Sequence, residues 1–179
     1  MAITINGTGS ISGLSATGIS SQPVFPGNIL QVVQAFKTDT FSTTSNSFTD
    51  ITGLSASITP STASNKILIY YFVTGSAGNG YAAAFRIVRD STAIAIADAA
   101  GSRLRSTSKF HVPSADHSYS APGMYLDAPA TTSPTTYKIQ TAVQNTGTLV
   151  LNRTSTNTDS SDAYHARSTS GLILLEVAA

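Results

Sequence analysis

The side chains best able to do chemistry fall in two polar stretches of the second half of the chain. His111, Asp116 and His117 share one such stretch, and Asp162 and His165 form another pair further on. Imidazole and carboxylate groups bind metal ions when two to four of them converge. Histidine and aspartate in polar loops are more often simply solvated, so we predict no metal site and no cofactor.

Catalytic patterns are missing from the sequence. There is no Gly-X-Ser-X-Gly turn for a nucleophile and no glycine-rich phosphate loop followed by lysine. A glycosidase would need two neighbouring acids, whereas this chain has a single glutamate, Glu176, and thinly spread aspartates. Cysteine is absent, so a cysteine nucleophile and a disulfide framework are both excluded. We therefore predict that the protein is not an enzyme.

Two tyrosines are candidates for contact with a glycan. Tyrosine offers a flat apolar ring with a hydroxyl, a combination that suits a saccharide. Most tyrosines here occur in strand-like segments, where cross-strand packing is the simpler interpretation. Tyr119 and Tyr164 lie in polar, loop-like surroundings, and we select these two as possible glycan contacts.

The charge content excludes two classes of partner. Only 11% of the residues are charged, the net charge is +1, and lysine and arginine form no cluster. Nucleic-acid binding needs several cations on one face, so we predict none. No segment approaches the ~18 apolar residues of a membrane-spanning helix, and the N-terminus has no signal-like apolar region, so we predict no membrane insertion.

The elements that would position these residues are β-strands. Segments rich in β-branched, aromatic or alternating apolar residues are separated by Gly, Pro, Asn, Asp and Ser clusters. We predict strands at 29–36, 54–59, 66–73, 83–88, 92–97, 118–126, 136–143, 148–152 and 171–177. Residues 93–105 could instead form a short helix, although their Ala-Ile alternation favours a strand. Turn residues predict hairpins around 89–91 and around 144–147. This pattern predicts an all-β, antiparallel β-sandwich of the jelly-roll type.

The segment 67–73 is bulky and apolar on both faces of the predicted strand, and 172–177 has the same character. One face of a sandwich strand normally meets water, so the second face needs a cover. The cover is either a loop of the same chain or a neighbouring subunit, and we favour the subunit. The predicted interface between subunits comprises Ile67, Leu68, Tyr70, Phe72, Leu172 and Leu174.

Residues 1–28 differ from the rest of the chain. They are rich in Gly, Ser and Thr and carry widely spaced aliphatic residues. They end at a Pro-Val-Phe-Pro-Gly segment, which is typical of a turn or a boundary between structural elements. We predict an extended anchoring arm at 1–28 and a β-sandwich head domain at 29–179; a floppy tail is the alternative for the first segment. The arm residues predicted to fill pockets on another protein are Ile3, Ile5, Ile11, Leu14 and Ile19.

Several segments resemble a known group of proteins. Residues 27–34, 49–60 and 64–69, with 136–140, 148–153 and 167–177, resemble a recurrent segment of bacteriophage virion proteins of the cyanophage and marine phage type. Residues 3–14 look like the attachment stretch of phage fibre and appendage proteins. The resemblance covers most of 1–70 and 134–179 and does not extend to about 77–130.

The resemblance implies a virion surface protein, assembled in the cytoplasm of a bacterial host. Its head would be similar to the jelly-roll trimers of the tumour-necrosis-factor and C1q type, and the chain would form a homotrimer. The arm would bind other virion proteins, and the head would serve host attachment as a tail fibre, with a host-surface glycan as a possible ligand. One alternative is a capsid decoration protein that stabilises the head of the particle. A second is a cellular carbohydrate-binding module.

Overall fold

The computed structural model describes residues 25–179, and the regular secondary structure of this part of the chain is almost entirely β-strand. A short 3-10 helix, Ala163–His165, lies in the last long loop. The strands, numbered in chain order, are β1 (Ile29–Lys37), β2 (Phe41–Thr43), β3 (Thr49–Ile58), β4 (Lys66–Ser76), β5 (Tyr81–Arg89), β6 (Thr92–Ile94), β7 (Ser108–Val112), β8 (Tyr119–Asp127), β9 (Thr135–Val143), β10 (Leu149–Leu151) and β11 (Ser170–Val177).

The strands form two antiparallel sheets that pack face to face. In the first sheet the order is β1-β11-β4-β8. The short strand β10 also pairs with β4, beyond the end of β11, and β2 pairs with the other edge of β10. In the second sheet the order is β3-β9-β5, with β6 and β7 in succession along the far edge of β5. The order β1-β11-β4-β8 over β3-β9-β5-β7 is that of a jelly roll. The predicted β-sandwich is confirmed.

One of the two predicted hairpins is present. The turn after Arg89 joins β5 to β6, with Arg89 opposite Thr92. The hairpin predicted around 144–147 is wrong, because β9 pairs with β3 and β5 in the second sheet, whereas β10 pairs with β2 and β4 in the first. The segment between them is a crossing from one sheet to the other. Residues 93–105 form no helix: they contain the end of β6 and a loop.

The core lies between the sheets and follows the alternation of each strand. Along β4, Ile67, Ile69, Tyr71 and Val73 point inward and are fully buried. Side chains of this size each stabilise the fold by about 1.5–3 kcal/mol when they leave water. The inward residues that face them from the second sheet and from β11 are Phe85, Ile87, Tyr137, Ile139, Leu172 and Leu174.

The strand registers define two ends of the sandwich. At the end that we call the base, Ile29 lies opposite Val177, and Val177 lies opposite Lys66. At the other end, the apex, Lys37 lies opposite Ser170, and Tyr119 lies opposite Gly75. A strand as long as β4 spans roughly 30–35 Å, which separates the two ends.

Glu176 is a buried carboxylate at the base. It is 1% exposed and accepts hydrogen bonds from Gln31 Nε2 (2.8 Å), Asn65 Nδ2 (2.6 Å), Ser61 N (2.6 Å) and Ser61 Oγ (2.7 Å). Burial by itself would raise the pKa of Glu176, but the hydrogen bonds from Asn65, Gln31 and Ser61 outweigh it and lower the pKa from 4.5 to about 2. This carboxylate therefore ties β11 to β1 and to the loop before β4.

This hydrogen-bonded carboxylate predicts a loss of stability in acid. The pKa of Glu176 is lower in the folded chain than in the unfolded one, so its contribution of about 3 kcal/mol is complete above about pH 5.5 and declines as the pH falls toward 2. In urea unfolding, we expect Glu176→Gln to be destabilised at about pH 6 and to approach the native chain at about pH 3. A difference between the two proteins that does not change with pH would contradict this assignment.

No helix within 25–179 has the length and hydrophobicity needed to cross a membrane.

Candidate functional site

The outer face of the first sheet is an apolar surface. Between Lys66 at the base and Thr74 and Ser120 at the apex, the outward side chains of β1, β11, β4 and β8 form three rows across the four strands. All of them are partly or largely exposed except at Gly171. We call these twelve positions the apolar face. The rows are Val32, Leu175, Leu68 and Leu126; Gln34, Ile173, Tyr70 and Met124; and Phe36, Gly171, Phe72 and Pro122.

The exposure of this face is high for hydrophobic side chains. Met124 is 67% exposed, Val32 60%, Phe36 58%, Leu126 46% and Tyr70 40%. Gln34 is the one polar side chain in the three rows, and none of the twelve residues carries a charge. Contiguous exposed apolar surface of this kind marks an interaction site.

A glycine shapes the third row. A Cβ at Gly171 would lie 2.8 Å from Cε1 of Phe72, so the Phe72 ring extends over β11 only because no side chain stands there. The same ring lies 6.5 Å from the ring of Tyr70, centroid to centroid, at an angle of 43°. The Phe72 ring therefore lies over the glycine of β11, with the Tyr70 ring beside it.

The second sheet presents a different outer face. Asp50, Gln140 and Arg86 lie side by side on β3, β9 and β5. Asp50 accepts hydrogen bonds from Lys138 Nζ and Gln140 Nε2, both at 2.7 Å, and Gln140 Oε1 accepts two from Arg86. The Lys138 ammonium lowers the pKa of Asp50. One outer face thus carries paired charges, whereas the other has Lys66 at its base end and no charge in the three rows of the apolar face.

Half of the residues predicted for a subunit interface lie in the wrong place for it. Ile67, Leu172 and Leu174 are 0% exposed and pack inside the sandwich, so they are unable to contact another chain. The reason is the two-residue period of a strand, which sends their side chains to the core. Leu68, Tyr70 and Phe72 belong to the apolar face.

Sequence reasoning missed most of the remaining members of this face. The outward residues of β11 are Ile173 and Leu175, which alternate with the core residues that we had selected. Strand β8 reads as a broken strand, and its contribution becomes visible only when it pairs along the whole of β4. The two-residue period could have separated the two sets on β11, but it could not show which set faces outward.

The two tyrosines selected as glycan contacts meet at the apex. Tyr164 is 61% exposed, and its ring stacks on His117 at 5.3 Å with an angle of 22°. Tyr119 is 37% exposed and meets His117 edge-on at 6.3 Å. His117 therefore joins two rings that are far apart in sequence. We call Tyr119, His117 and Tyr164 the aromatic cluster.

Tyr119 begins strand β8, whereas His117 and Tyr164 lie in two loops, and hydrogen bonds tie these loops to the strands. Ser155 donates from its backbone to the Ala115 carbonyl (3.0 Å) and from its hydroxyl to Ser76 Oγ (2.9 Å). Asp162 Oδ1 accepts the backbone N–H of Tyr164 at 3.0 Å and so caps the 3-10 helix. The aromatic cluster is held by this network rather than by the sheet alone.

Asn152 anchors the longer loop. Its side chain donates to the carbonyls of Lys37 (3.0 Å) and Asp39 (2.8 Å), and its Oδ1 accepts from the Ser170 hydroxyl (2.8 Å). The residue is fully buried and has a φ of 62°, a left-handed conformation that asparagine tolerates. Both ends of the loop 152–169 are thereby fixed to the first sheet.

Two adjoining depressions surround the cluster and share Asp116, His117 and Tyr164. Their volumes are about 330 Å³ and about 300 Å³. The remaining lining residues are Ser118, Tyr119 and Ala163 in the first, and Ser114, Asp162 and His165 in the second.

A larger depression, of about 520 Å³, lies on the second sheet. Its floor includes Ala82, Ala84 and Ala142, and Leu104 and Lys109 stand at its sides. Its lining has amide groups and one lysine but neither a carboxylate nor an aromatic ring on which a sugar could stack. The smaller depressions have the denser set of polar and aromatic groups.

Within the described residues, no group of three or more histidine and acidic side chains is placed to hold a metal ion. The structure divides the metal-ligand candidates from the sequence into two places. Four of them line one depression at the apex: Asp116, His117, Asp162 and His165. The fifth, His111, lies on β7, opposite Ala82. The predicted arm residues Ile3, Ile5, Ile11, Leu14 and Ile19 lie outside the described residues.

The sequence matches no protein-family profile and no curated protein. Among solved structures, the chain is similar to a structure of infectious bursal disease virus, Gx strain, with 17% identity and a TM-score of 0.41, over 90% of this chain and 43% of that one. It is also similar to T=1 particles derived from that virus (16% identity, TM-score 0.42, 83% and 36% covered) and to its VP2 subviral particle (16%, 0.38, 83% and 38%). The chain spans less than half the length of these viral chains.

Proposed function

We propose that this protein is a non-enzymatic structural component of a virus particle, which assembles as a homotrimer through the apolar face. In this proposal the N-terminal arm binds other virion proteins, and the apex is presented to the surface of the host. The observation that carries the proposal is the contrast between the two outer faces. The second sheet presents paired charges to water, whereas the first presents three uncharged rows.

The composition of the apolar face favours a second copy of the same chain as its cover. Around a symmetry axis, identical residues are brought near one another, and charged residues would then repel. The twelve residues of the face carry no charge, so copies of it can meet without that penalty. Burying such a surface between chains also removes the free-energy cost of hydrating it. The number three follows from the resemblance to jelly-roll trimers.

The point at which the described residues enter the head supports an anchored base and a free apex. Gly27 donates to the carbonyl of Ala178, and Ala178 donates to the carbonyl of Asn28, both at 2.9 Å. Residue 25 therefore enters the head at the base, at the far end of the strands from the aromatic cluster. An arm that binds a virion protein from this end leaves the apex loops directed away from the particle.

Virion composition tests this proposal. Particles of the virus that encodes the chain would be purified, and its copy number measured by gel densitometry against a coat protein of known number. We expect the protein to copurify with particles in the low copy number of a tail fibre or appendage. A copy number close to that of the coat protein would show a capsid decoration protein instead. Absence from purified particles would overturn the virion assignment.

A further inference from the structure

The geometry of the apex points to a binding site for a neutral saccharide, centred on Tyr164. We infer that a sugar ring stacks on the free face of Tyr164, and that carboxylate, hydroxyl and imidazole groups in the two adjoining depressions bind its hydroxyls. This inference rests on the proposed function in one respect, namely that the apex is the end presented to the host. The site itself requires only the folded head.

The Tyr164 ring has one face free for a ligand. One face is stacked on His117, and the side chain is nevertheless 61% exposed, so the other face is open to solvent. A pyranose ring has a face of C–H groups that packs on an aromatic ring, while its hydroxyls point outward at the rim. His117 and the cap from Asp162 to Tyr164 N hold the ring in place before a ligand arrives. Because the Tyr164 ring is already held in place, less side-chain entropy is lost when a ligand binds.

The groups around the ring suit hydroxyls. Asp116 and Asp162 supply carboxylate oxygens, which accept hydrogen bonds from neighbouring hydroxyl groups of a sugar. Ser114 and Ser118 can donate or accept, and Tyr119 closes one side of the first depression. The two depressions adjoin at Tyr164 and Asp116, so a chain of two or more sugar units can lie across both.

The charge of the site selects against acidic sugars. Within the described part of the chain, neither depression has lysine or arginine among its lining residues, whereas two aspartates line the second one. The carboxylate of a uronic or sialic acid would be repelled by Asp116 and Asp162 and would find no lysine or arginine among the lining residues to offset that repulsion. The site is also shallow, so each copy binds weakly and three copies on one trimer supply avidity.

Saturation-transfer NMR and titration on the full chain test this site. The neutral probes are maltotriose, cellotriose and chitotriose, and trigalacturonate is the acidic counterpart. We expect at least one neutral trisaccharide to bind, and Tyr164→Ala to weaken that binding by about tenfold or more. Tyr125→Ala is the control, because Tyr125 is also an exposed tyrosine (39%) but lies on β8, away from the depressions. It should bind like the native chain.

Three outcomes would overturn the inference: no neutral trisaccharide binds, Tyr164→Ala binds as the native chain does, or trigalacturonate binds more tightly than the neutral probes. Asp116→Asn provides a second variant, which should weaken neutral binding and reduce the discrimination against trigalacturonate. Light scattering on the same samples separates the two proposals. A monomer that binds through Tyr164 would refute the trimer alone, and a trimer without saccharide binding would refute this site alone.

Discussion

Replacing Tyr70 by Asp should convert the assembly to single chains of 18.5 kDa without unfolding them. Tyr70 lies in the middle row of the apolar face, between Ile173 and Met124, and is 40% exposed in the isolated chain. In the proposed trimer an aspartate at this position would be buried without a partner. A buried, unpaired charge costs about 3–5 kcal/mol, which is about two to four powers of ten in the dissociation constant. Light scattering measures the mass, and circular dichroism reports the fold.

The matched control for this substitution is Leu104→Asp. Leu104 is 57% exposed and lies beside the second sheet, so a charge there stays in water and the mass should not change. If Tyr70→Asp keeps the mass of the native assembly, the apolar face is not the interface. If both variants dissociate, the added charge acts through the net charge of the chain and not through the face.

Removing the Asp127 side chain should destabilise the head by about 3 kcal/mol or more. Asp127 ends β8 at the base, where it accepts both hydrogen bonds of Arg89 Nη1 (3.0 and 2.9 Å) and one from the Tyr137 hydroxyl (2.7 Å). Burial, together with the hydrogen bond to Asp127, raises the pKa of Tyr137, so this hydroxyl stays protonated and acts as a donor. The carboxylate thus joins the first sheet to both central strands of the second.

Asp127→Ala leaves the buried Tyr137 hydroxyl and the partly buried guanidinium of Arg89 without their acceptor. Urea unfolding of both proteins at neutral pH measures the change. Asp98→Ala serves as the control, because Asp98 is an exposed loop residue and its loss should change stability by less than about 0.5 kcal/mol. Equal unfolding midpoints for the two variants would show that Asp127 contributes no more than a surface aspartate.

The strand pattern was readable from the sequence because most strands alternate or have dense β-branched residues between turn residues. Strands β1, β4 and β11 were each anticipated within a few residues of their observed bounds. The short β2 and the polar β7 were not, because three residues, or a segment such as Ser-Lys-Phe-His-Val, give little periodic signal. The crossing between β9 and β10 was mistaken for a hairpin because polar turn residues serve both connections.

Which side of β4 faces the core could not be decided from the sequence. Both sets of side chains are large and apolar, so hydrophobicity does not distinguish Ile67 and Ile69 from Leu68 and Tyr70. On β11 the one charged residue, Glu176, would normally indicate the side of the strand that faces water. Glu176 is instead buried, on the same side of the strand as the core residues Leu172 and Leu174. Its burial depends on donors from Gln31, Ser61 and Asn65, which only the folded chain brings together. The need for a cover on the second face was nevertheless apparent.

The apex site was partly visible in the sequence. Tyr119 and Tyr164 stood out because their surroundings are polar, but nothing local indicates that they meet. Their contact depends on His117 and on the anchoring of a long loop by Asn152, Ser155 and Ser170. Such long-range pairings are set by the fold, so only the individual residues could be predicted.

The accessibility of the apolar face in the purified protein tests the central claim most directly. The chain has no cysteine, so Met124→Cys and Leu104→Cys each introduce a single thiol at positions that are 67% and 57% exposed in one chain. With a maleimide reagent under native conditions, we predict that the thiol at 104 reacts rapidly and the thiol at 124 is protected until urea is added. Equal, rapid reaction of both thiols would show that the face is open to solvent and would contradict assembly through it.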